Sequence, residues 1–312
     1  MPPKRTVIGS FPSRIAELGL DGAIKWAVDL QLKYGIQVVT DGEQRGNIID
    51  YFEQIPGLGR RFGRPAIIGK IKPVEDLDNF PKISDCRKVL EYLESLGVRG
   101  VEVKVTVTGP VTLGFTYGMG GLGPYSSILD ERLYLDLAYA LNPLIEKAVK
   151  IGCYIQWMSR GSWQISSTRN RRPYSRRILR EHKVRERGNS PCMRFFKRYP
   201  KLIYDMLLKL QVDVLSLAFS GRREETNLQM ISREAFEEHG KSWEQDSSQI
   251  PRLSLSREPL RRLSIISDKV GIENIAYLHP DCGFRGTPLD IVKDILRNMK
   301  EASSIFLSEV AE

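Results

Sequence analysis

The chain has 312 residues, of which 41% are hydrophobic, and this is enough to bury one large core. A single α/β barrel takes about 250 residues and would use most of that length. The composition excludes disorder as the dominant state. No apolar run approaches the roughly 20 residues that cross a bilayer, and no apolar signal-peptide core follows Met1. We therefore expect a cytoplasmic protein that does not contact a membrane.

The formal net charge of +9 raises the question of a nucleic-acid partner. Between residues 157 and 198, thirteen Lys and Arg stand against two acids, so the excess of positive charge belongs to this segment. One interpretation is an Arg-rich arm that binds RNA. The rest of the chain is close to neutral and does not indicate a nucleic-acid partner.

The four cysteines are too few and too scattered for a disulfide framework. They are Cys86, Cys153, Cys192 and Cys282. Only Cys282 follows a strand-like run in a setting typical of a ligand or a nucleophile.

Short β-branched runs alternate with amphipathic stretches along the chain, which is typical of βα units in a parallel sheet. The pattern predicts strands over residues 6–10, 36–40, 101–110, 152–156, 212–217 and 274–278. It predicts helices over residues 24–34, 132–149, 201–210, 224–239 and 288–299. The rhythm lapses over residues 157–198 and 242–263. We therefore expect one (β/α)8 TIM barrel over residues 1–312, locally disrupted in these two segments.

Catalytic groups of such a barrel lie at the carboxyl ends of its strands. Three predicted strand ends are rich in turn and polar residues, and they cover residues 8–12, 40–45 and 279–284. The simpler interpretation is that the Gly, Pro and Asp residues only form turns and that Cys282 is a small buried side chain.

Taken together and in this order, the three strand ends resemble the catalytic barrel of cobalamin-independent methionine synthase. The likeness is greatest to the short archaeal form, and it runs in order over residues 6–156, 200–241 and 264–305. Residues 108–112 and 231–241 are also similar to family segments. The resemblance implies methyl transfer to the sulfur of homocysteine, giving methionine, on a zinc ion. A divalent cation favours this chemistry because it removes the thiol proton and leaves a nucleophilic thiolate.

The resemblance also implies roles for four residues. Ile8 and Ser10 match residues that hold homocysteine, and Glu43 matches the carboxylate that binds its ammonium group. Cys282 stands in the last of the family's four zinc-ligand positions, after a His-x-Cys pair and a Glu. The implied partners are homocysteine and a methyl donor, either a methylated pterin or a methylcorrinoid protein. A related corrinoid- or pterin-dependent methyltransferase with another thiol acceptor is the alternative enzyme.

The sequence departs from the family at three positions. After Gln156 the family continues Asp-Glu-Pro-Ala, but this chain continues Trp157-Met158-Ser159-Arg160. The family's His-x-Cys-Gly is replaced by residues 191–195, and Ala218 stands where the family usually places its Glu ligand. As written, the chain therefore supplies one of the four zinc ligands.

The genetic code offers an explanation for the first two losses. Trp157 and Met158 have one codon each, and reading TGG ATG from its third nucleotide gives an Asp codon; with a suitable Ser159 codon, Glu and Pro follow. Residues 191–194, written CCA TGC ATG CGG and read from the second nucleotide, give His-Ala-Cys. We therefore interpret residues 157–198 as out-of-frame translation, and residues 242–263 show a weaker sign of the same. On this interpretation both segments pack poorly.

Overall fold

The structure is a computed structural model that describes residues 2–158, 192–195, 214–217, 228–229, 231–239, 242–248, 257–280 and 282–311. The strands in these ranges are β1 Lys4–Arg5, β2 Val38–Val39, β3 Leu58–Arg61, β4 Arg64–Ile67, β5 Glu102–Thr108, β6 Tyr154–Met158, β7 Cys192–Phe195, β8 Val214–Leu217, β9 Ser242–Ser248 and β10 Ile275–Pro280. The α-helices are α1 Ile15–Lys33, α2 Pro81–Ser95, α3 Pro110–Gly118, α4 Glu131–Lys150, α5 Arg233–His239, α6 Arg257–Val270 and α7 Leu289–Ala311.

Eight strands form one parallel sheet that closes on itself. Their spatial order is β1-β10-β9-β8-β7-β6-β5-β2, and every neighbouring pair is parallel. Thr6, directly after β1, bridges to Val38 of β2, and its hydroxyl donates to the Val38 carbonyl at 2.7 Å. These contacts join the two edges of the sheet, which confirms the predicted TIM barrel.

The predicted strands have counterparts with shifted bounds, and the shift matters most at the first one. Strand β1 covers only Lys4–Arg5, so most of residues 6–10 follow the strand and form the loop at its carboxyl end. The long helix predicted over residues 132–149 is α4, Glu131–Lys150. The helix predicted over residues 201–210 lies outside the described residues.

The prediction that regular structure lapses in two segments was wrong at their ends. Trp157 and Met158 complete β6 and are buried, at 6% and 4% exposure. The backbone of Cys192–Phe195 forms β7, and that of Ser242–Ser248 forms β9. Helix α6 begins at Arg257, and Leu263 within it is fully buried. The hydrogen bonds of a parallel ladder join backbone groups. A strand can therefore continue where the side-chain pattern does not predict one.

Several elements outside the barrel sheet follow the carboxyl ends of β2 and β5. After β2 the chain makes a 3-10 turn at Asp50–Phe52 and the antiparallel hairpin β3–β4 before it reaches α2. Helix α3 follows β5 at once and packs against β4. Within the part of the chain that the structure describes, no helix is long and apolar enough to cross a membrane.

The cysteine expectation needs one correction. Cys86 of α2 and Cys153, directly before β6, are both buried and form a disulfide, with their Cα atoms 7.1 Å apart. Cys282 is a free, exposed cysteine.

Candidate active site

The loops after β1, β2 and β10 meet at one end of the barrel. The Phe11 amide donates to the Gly42 carbonyl at 2.9 Å, which ties the first loop to the second. The Phe284 amide donates to the Ser10 carbonyl at 2.6 Å, which ties the loop after β10 to the first. The three strand ends that the sequence singled out are therefore neighbours at the carboxyl end of the sheet.

Ile8, Ser10 and Cys282 lie in two of these loops. Ile8 is buried at 3% exposure, and Ser10 is half-buried. A Cβ on Gly283, the residue after Cys282, would lie 2.2 Å from the Ser10 hydroxyl oxygen. Glycine at position 283 thus lets the loop that carries Cys282 approach Ser10 closely.

Glu43 projects from the β2 loop on an unusual backbone. Gly42 and Glu43 have φ angles of 70° and 48°, a region in which side chains other than glycine are uncommon. The Glu43 side chain is nearly fully buried, and its amide donates to the Asp41 carboxylate at 3.1 Å. The Arg285 guanidinium donates to the Glu43 carbonyl and so ties this turn to the β10 loop.

Lys82, in the first turn of α2, is the partner of Glu43 that the sequence did not reveal. Its Nζ lies 2.9 Å from Glu43 Oε1 and 2.9 Å from the Thr106 hydroxyl, which also donates to Oε1. The same ammonium lies 3.8 Å from the centroid of the Tyr51 ring. Both side chains of the ion pair are almost fully buried. Helix α2 was not predicted, so nothing in the sequence placed Lys82 at the barrel mouth.

Asp41 shares this buried cluster. The pKa of Asp41 is raised to about 6, chiefly by burial; Lys82 lowers this pKa, and the nearby carboxylates of Asp85 and Glu43 raise it. Burial also raises the pKa of Tyr51, so its hydroxyl stays protonated and donates to Asp41 at 3.5 Å. Asp85 in turn receives two hydrogen bonds from the Arg45 guanidinium, at 2.7 and 2.9 Å.

Gln156 of β6 faces the same interior. Its register partner on β5 is Thr106, and its Nε2 donates to the Ile8 carbonyl at 3.1 Å. The side chain is 1% exposed, and its Oε1 has no hydrogen-bond partner in the described part of the chain. Trp157 and Met158 follow it, where the family has carboxylates.

The described residues do not assemble a zinc site. Among them, no three His, Cys, Asp or Glu side chains are grouped so as to hold a metal ion. His279 is fully buried, and its Nδ1 lies 2.6 Å from the Pro280 carbonyl oxygen. Cys282 therefore stands without the other family ligands here, and Ala218 lies outside the described residues.

Sequence relatives and solved structures agree on what this barrel is similar to. Methionine synthase of Methanothermobacter marburgensis is 25% identical over 96% of this chain and 99% of its own length. The enzyme of Methanothermobacter thermautotrophicus is 25% identical over 96% and 98%. The chain is homologous to the methionine synthases.

A solved structure extends this likeness to the fold. A B12-independent methionine synthase from a Shewanella species, in complex with selenomethionine, aligns with a TM-score of 0.76 at 15% identity, over 100% of this chain and 99% of its own. No family model matches the chain. Methionine synthases are methyltransferases, so this similarity indicates that the barrel is an enzyme.

Proposed function

We propose that this barrel has the site of a homocysteine methyltransferase, which moves a methyl group to the thiol of L-homocysteine and releases L-methionine. The observation that carries the proposal is the meeting of Ile8, Ser10, Glu43 and the Cys282 loop at one end of the sheet. A buried carboxylate beside a polar loop suits the ammonium end of an amino acid. A cysteine on the neighbouring loop suits the sulfur end.

Glu43 would bind the α-ammonium group of homocysteine through Oε2, because Oε1 already accepts from Lys82 and Thr106. Charge-assisted hydrogen bonds of this kind are about twice as strong as neutral ones. Ile8 and Ser10 would hold the amino-acid backbone of the substrate from the opposite loop.

We also propose Zn²⁺ as the cofactor of the functional form, with Cys282 as one ligand. When bound, zinc would supply the positive charge that keeps a thiol ionised at neutral pH. The described residues do not fit this role without the family's His-x-Cys pair and Glu, so the polypeptide as written is expected neither to retain zinc nor to methylate homocysteine.

A shifted reading frame would explain why a barrel with a homocysteine site lacks the His-x-Cys pair of its zinc site. Strand β6 ends with Trp157 and Met158, at the positions where the family has Asp and Glu, and β7 contains the position of the lost His-x-Cys pair. We propose that the gene, read in the restored frame between residues 157 and 198, encodes these motifs. The methyl donor would be a methylated pterin or a methylcorrinoid protein.

Two measurements test the proposal. Resequencing the gene should show three single-nucleotide differences of the same sign, which shift the reading frame within residues 157–198 and together restore it. The restored-frame protein should form methionine from homocysteine with a methylated pterin or methylcobalamin as donor. In that protein Glu43→Gln should raise the KM for homocysteine, while Glu91→Gln on the exposed side of α2 should not. A restored-frame protein that is folded, loaded with zinc and inactive with both donors would contradict the assignment.

A further inference from the structure

Two contacts of Nε2 fix the orientation of the Gln156 amide, one to the Ile8 carbonyl and one to the Met158 sulfur at 3.2 Å. The Ile8 carbonyl can only accept, so the group that faces it at 3.1 Å must be the Nε2 donor. The amide oxygen, Oε1, must then point away from Ile8. It is fully buried and lacks a donor among the described residues.

A buried acceptor without a donor is uncommon, because it has lost its hydrogen bonds to water and gained none in return. Such atoms call for an explanation, and a bound ligand is one. Gln156 is suited to that role because its other end is already held by the Ile8 carbonyl, so the side chain is oriented before a ligand arrives.

Gln156 also lies beside the proposed ammonium site. Thr106, its register partner on the adjacent strand, donates to Glu43 Oε1, and adjacent strands lie about 4.8 Å apart. Gly9, between Ile8 and Ser10, has no side chain to intervene: a Cβ there would lie 2.9 Å from Thr106 Cγ2 and 3.3 Å from Glu43 Cδ. Gln156 and Glu43 thus both lie next to Thr106 and the backbone of Ile8 and Gly9.

Glu43 alone is a weak attractor for a second cation. Its charge is opposed by Lys82, whose ammonium lies 2.9 Å from Oε1. A substrate ammonium group has three protons to donate, and one half-neutralised carboxylate does not satisfy them. A neutral acceptor beside Glu43 would add a hydrogen bond without a further charge to desolvate.

We infer that Gln156 is a substrate-binding residue whose Oε1 accepts a hydrogen bond from the α-ammonium group of the amino-acid substrate. This inference rests on the proposed function, since it concerns the same site. It assigns to Gln156 the recognition of the ammonium group and, through Nε2, the orientation of the Ile8 carbonyl.

Titration calorimetry with L-methionine and with 4-(methylthio)butanoate, which lacks only the ammonium group, tests the inference. The unaltered chain should prefer methionine. Gln156→Met removes the acceptor at similar length and should reduce this preference about tenfold, the usual loss for one hydrogen bond to a charged group. Gln156→Glu keeps an acceptor at the same position, and its carboxyl group in the protonated form can still donate to the Ile8 carbonyl, so this variant should retain the preference.

Gln37→Met is the matched control, because Gln37 lies at the opposite end of the barrel, where its Oε1 accepts from the Arg5 amide. It should leave the preference unchanged, and melting curves would show whether each variant is folded. A preference that survives in Gln156→Met, or that Gln156→Glu loses equally, overturns this inference and leaves the proposed function standing. Failure of the unaltered chain to bind methionine would also overturn the inference, and the activity of the restored-frame protein would then decide the proposed function.

Discussion

Lys82 and Glu43 form an ion pair in which both side chains are almost fully buried. Removing one partner leaves the other charge without compensation in a region of low dielectric. Lys82→Met should therefore lower the free energy of unfolding by about 3–5 kcal/mol, as measured by denaturant unfolding. Adding Glu43→Gln to the same chain should recover part of that loss, because it removes the unpaired carboxylate.

Lys88→Met provides the comparison, because Lys88 lies on the same helix and pairs with Asp21 at the exposed surface. That change should cost about 1 kcal/mol or less. Equal losses for the two lysine variants would contradict the assignment of Lys82 to a buried pair.

Asp41 makes stability depend on pH. Its pKa in the folded chain is raised from 3.8 to about 6, so the native state holds a proton that the unfolded state has released between these values. The folded state is therefore penalised as the pH rises through this window, and the penalty is complete above it. Relative to Asp41→Asn, the unaltered chain should lose about 2 kcal/mol of unfolding free energy between pH 4 and pH 6.5.

Parallel denaturant titrations of the two chains across that range would measure this difference. The Asn side chain preserves the acceptor for the Glu43 amide, so the variant differs mainly in charge. A stability difference that does not change with pH would show that Asp41 titrates normally in the folded chain.

The sequence anticipated some residues of this site and missed others for a physical reason. Ser10, Glu43 and Cys282 follow strand-like runs, where a barrel places its polar loops, and the family resemblance singled them out among the residues of those loops. Lys82 is brought to Glu43 only by the folding of a helix 39 residues away. The importance of Gln156 depends on an unpaired atom that no sequence pattern reveals.

At the scale of elements, the β3–β4 hairpin depends on the close approach of Gly57, directly before β3, to the backbone of Lys70, which follows β4. Gly57 has a φ of 94°, and a Cβ there would lie 2.6 Å from the Lys70 carbonyl oxygen. Its own carbonyl accepts from the Ile68 amide at 2.9 Å. Gly57→Ala should thus combine left-handed strain with a backbone clash and lower the free energy of unfolding by at least about 2 kcal/mol.

Gly286→Ala serves as the control, since a Cβ at that exposed position would meet no atom within 4 Å. Thermal unfolding of the two variants should separate them clearly. A Gly57→Ala chain as stable as Gly286→Ala would contradict the close approach of Gly57 to Lys70.

Several of the elements that were not predicted from the sequence have no regular spacing of apolar side chains. The hairpin carries Arg60, Arg61 and Arg64 with no alternation of apolar residues, and α3 begins at Pro110 directly after a strand. Strand β9 is rich in polar residues, yet its backbone pairs with β8 and β10. By contrast α4 was predicted almost to the residue, because its apolar face and its Asp130 cap are both written in the sequence.

At the scale of the whole molecule, the closed sheet agrees with the similarity to methionine synthases, whereas the translated sequence lacks most of the family's zinc ligands. The bridge between Thr6 and Val38 closes a ring of eight parallel strands, and the homology to methionine synthases extends over 96% of the chain. Yet the positions of three family zinc ligands are lost. The architecture is therefore that of a methionine-synthase-like barrel. We propose that a shifted reading frame removed the His and Cys of its metal site, whereas Ala218 replaces the Glu outside the shifted segment.

Zinc content tests this claim most directly. A catalytic zinc normally needs three protein ligands, and the chain as written supplies one of the family's four, Cys282. The printed polypeptide and a restored-frame version should be expressed, dialysed and analysed for metal per chain. We expect far less than one zinc per printed chain and about one per restored chain, with Ala218→Glu strengthening retention in the latter. Full zinc occupancy in the printed polypeptide would contradict the account and indicate a diverged enzyme with a different set of ligands.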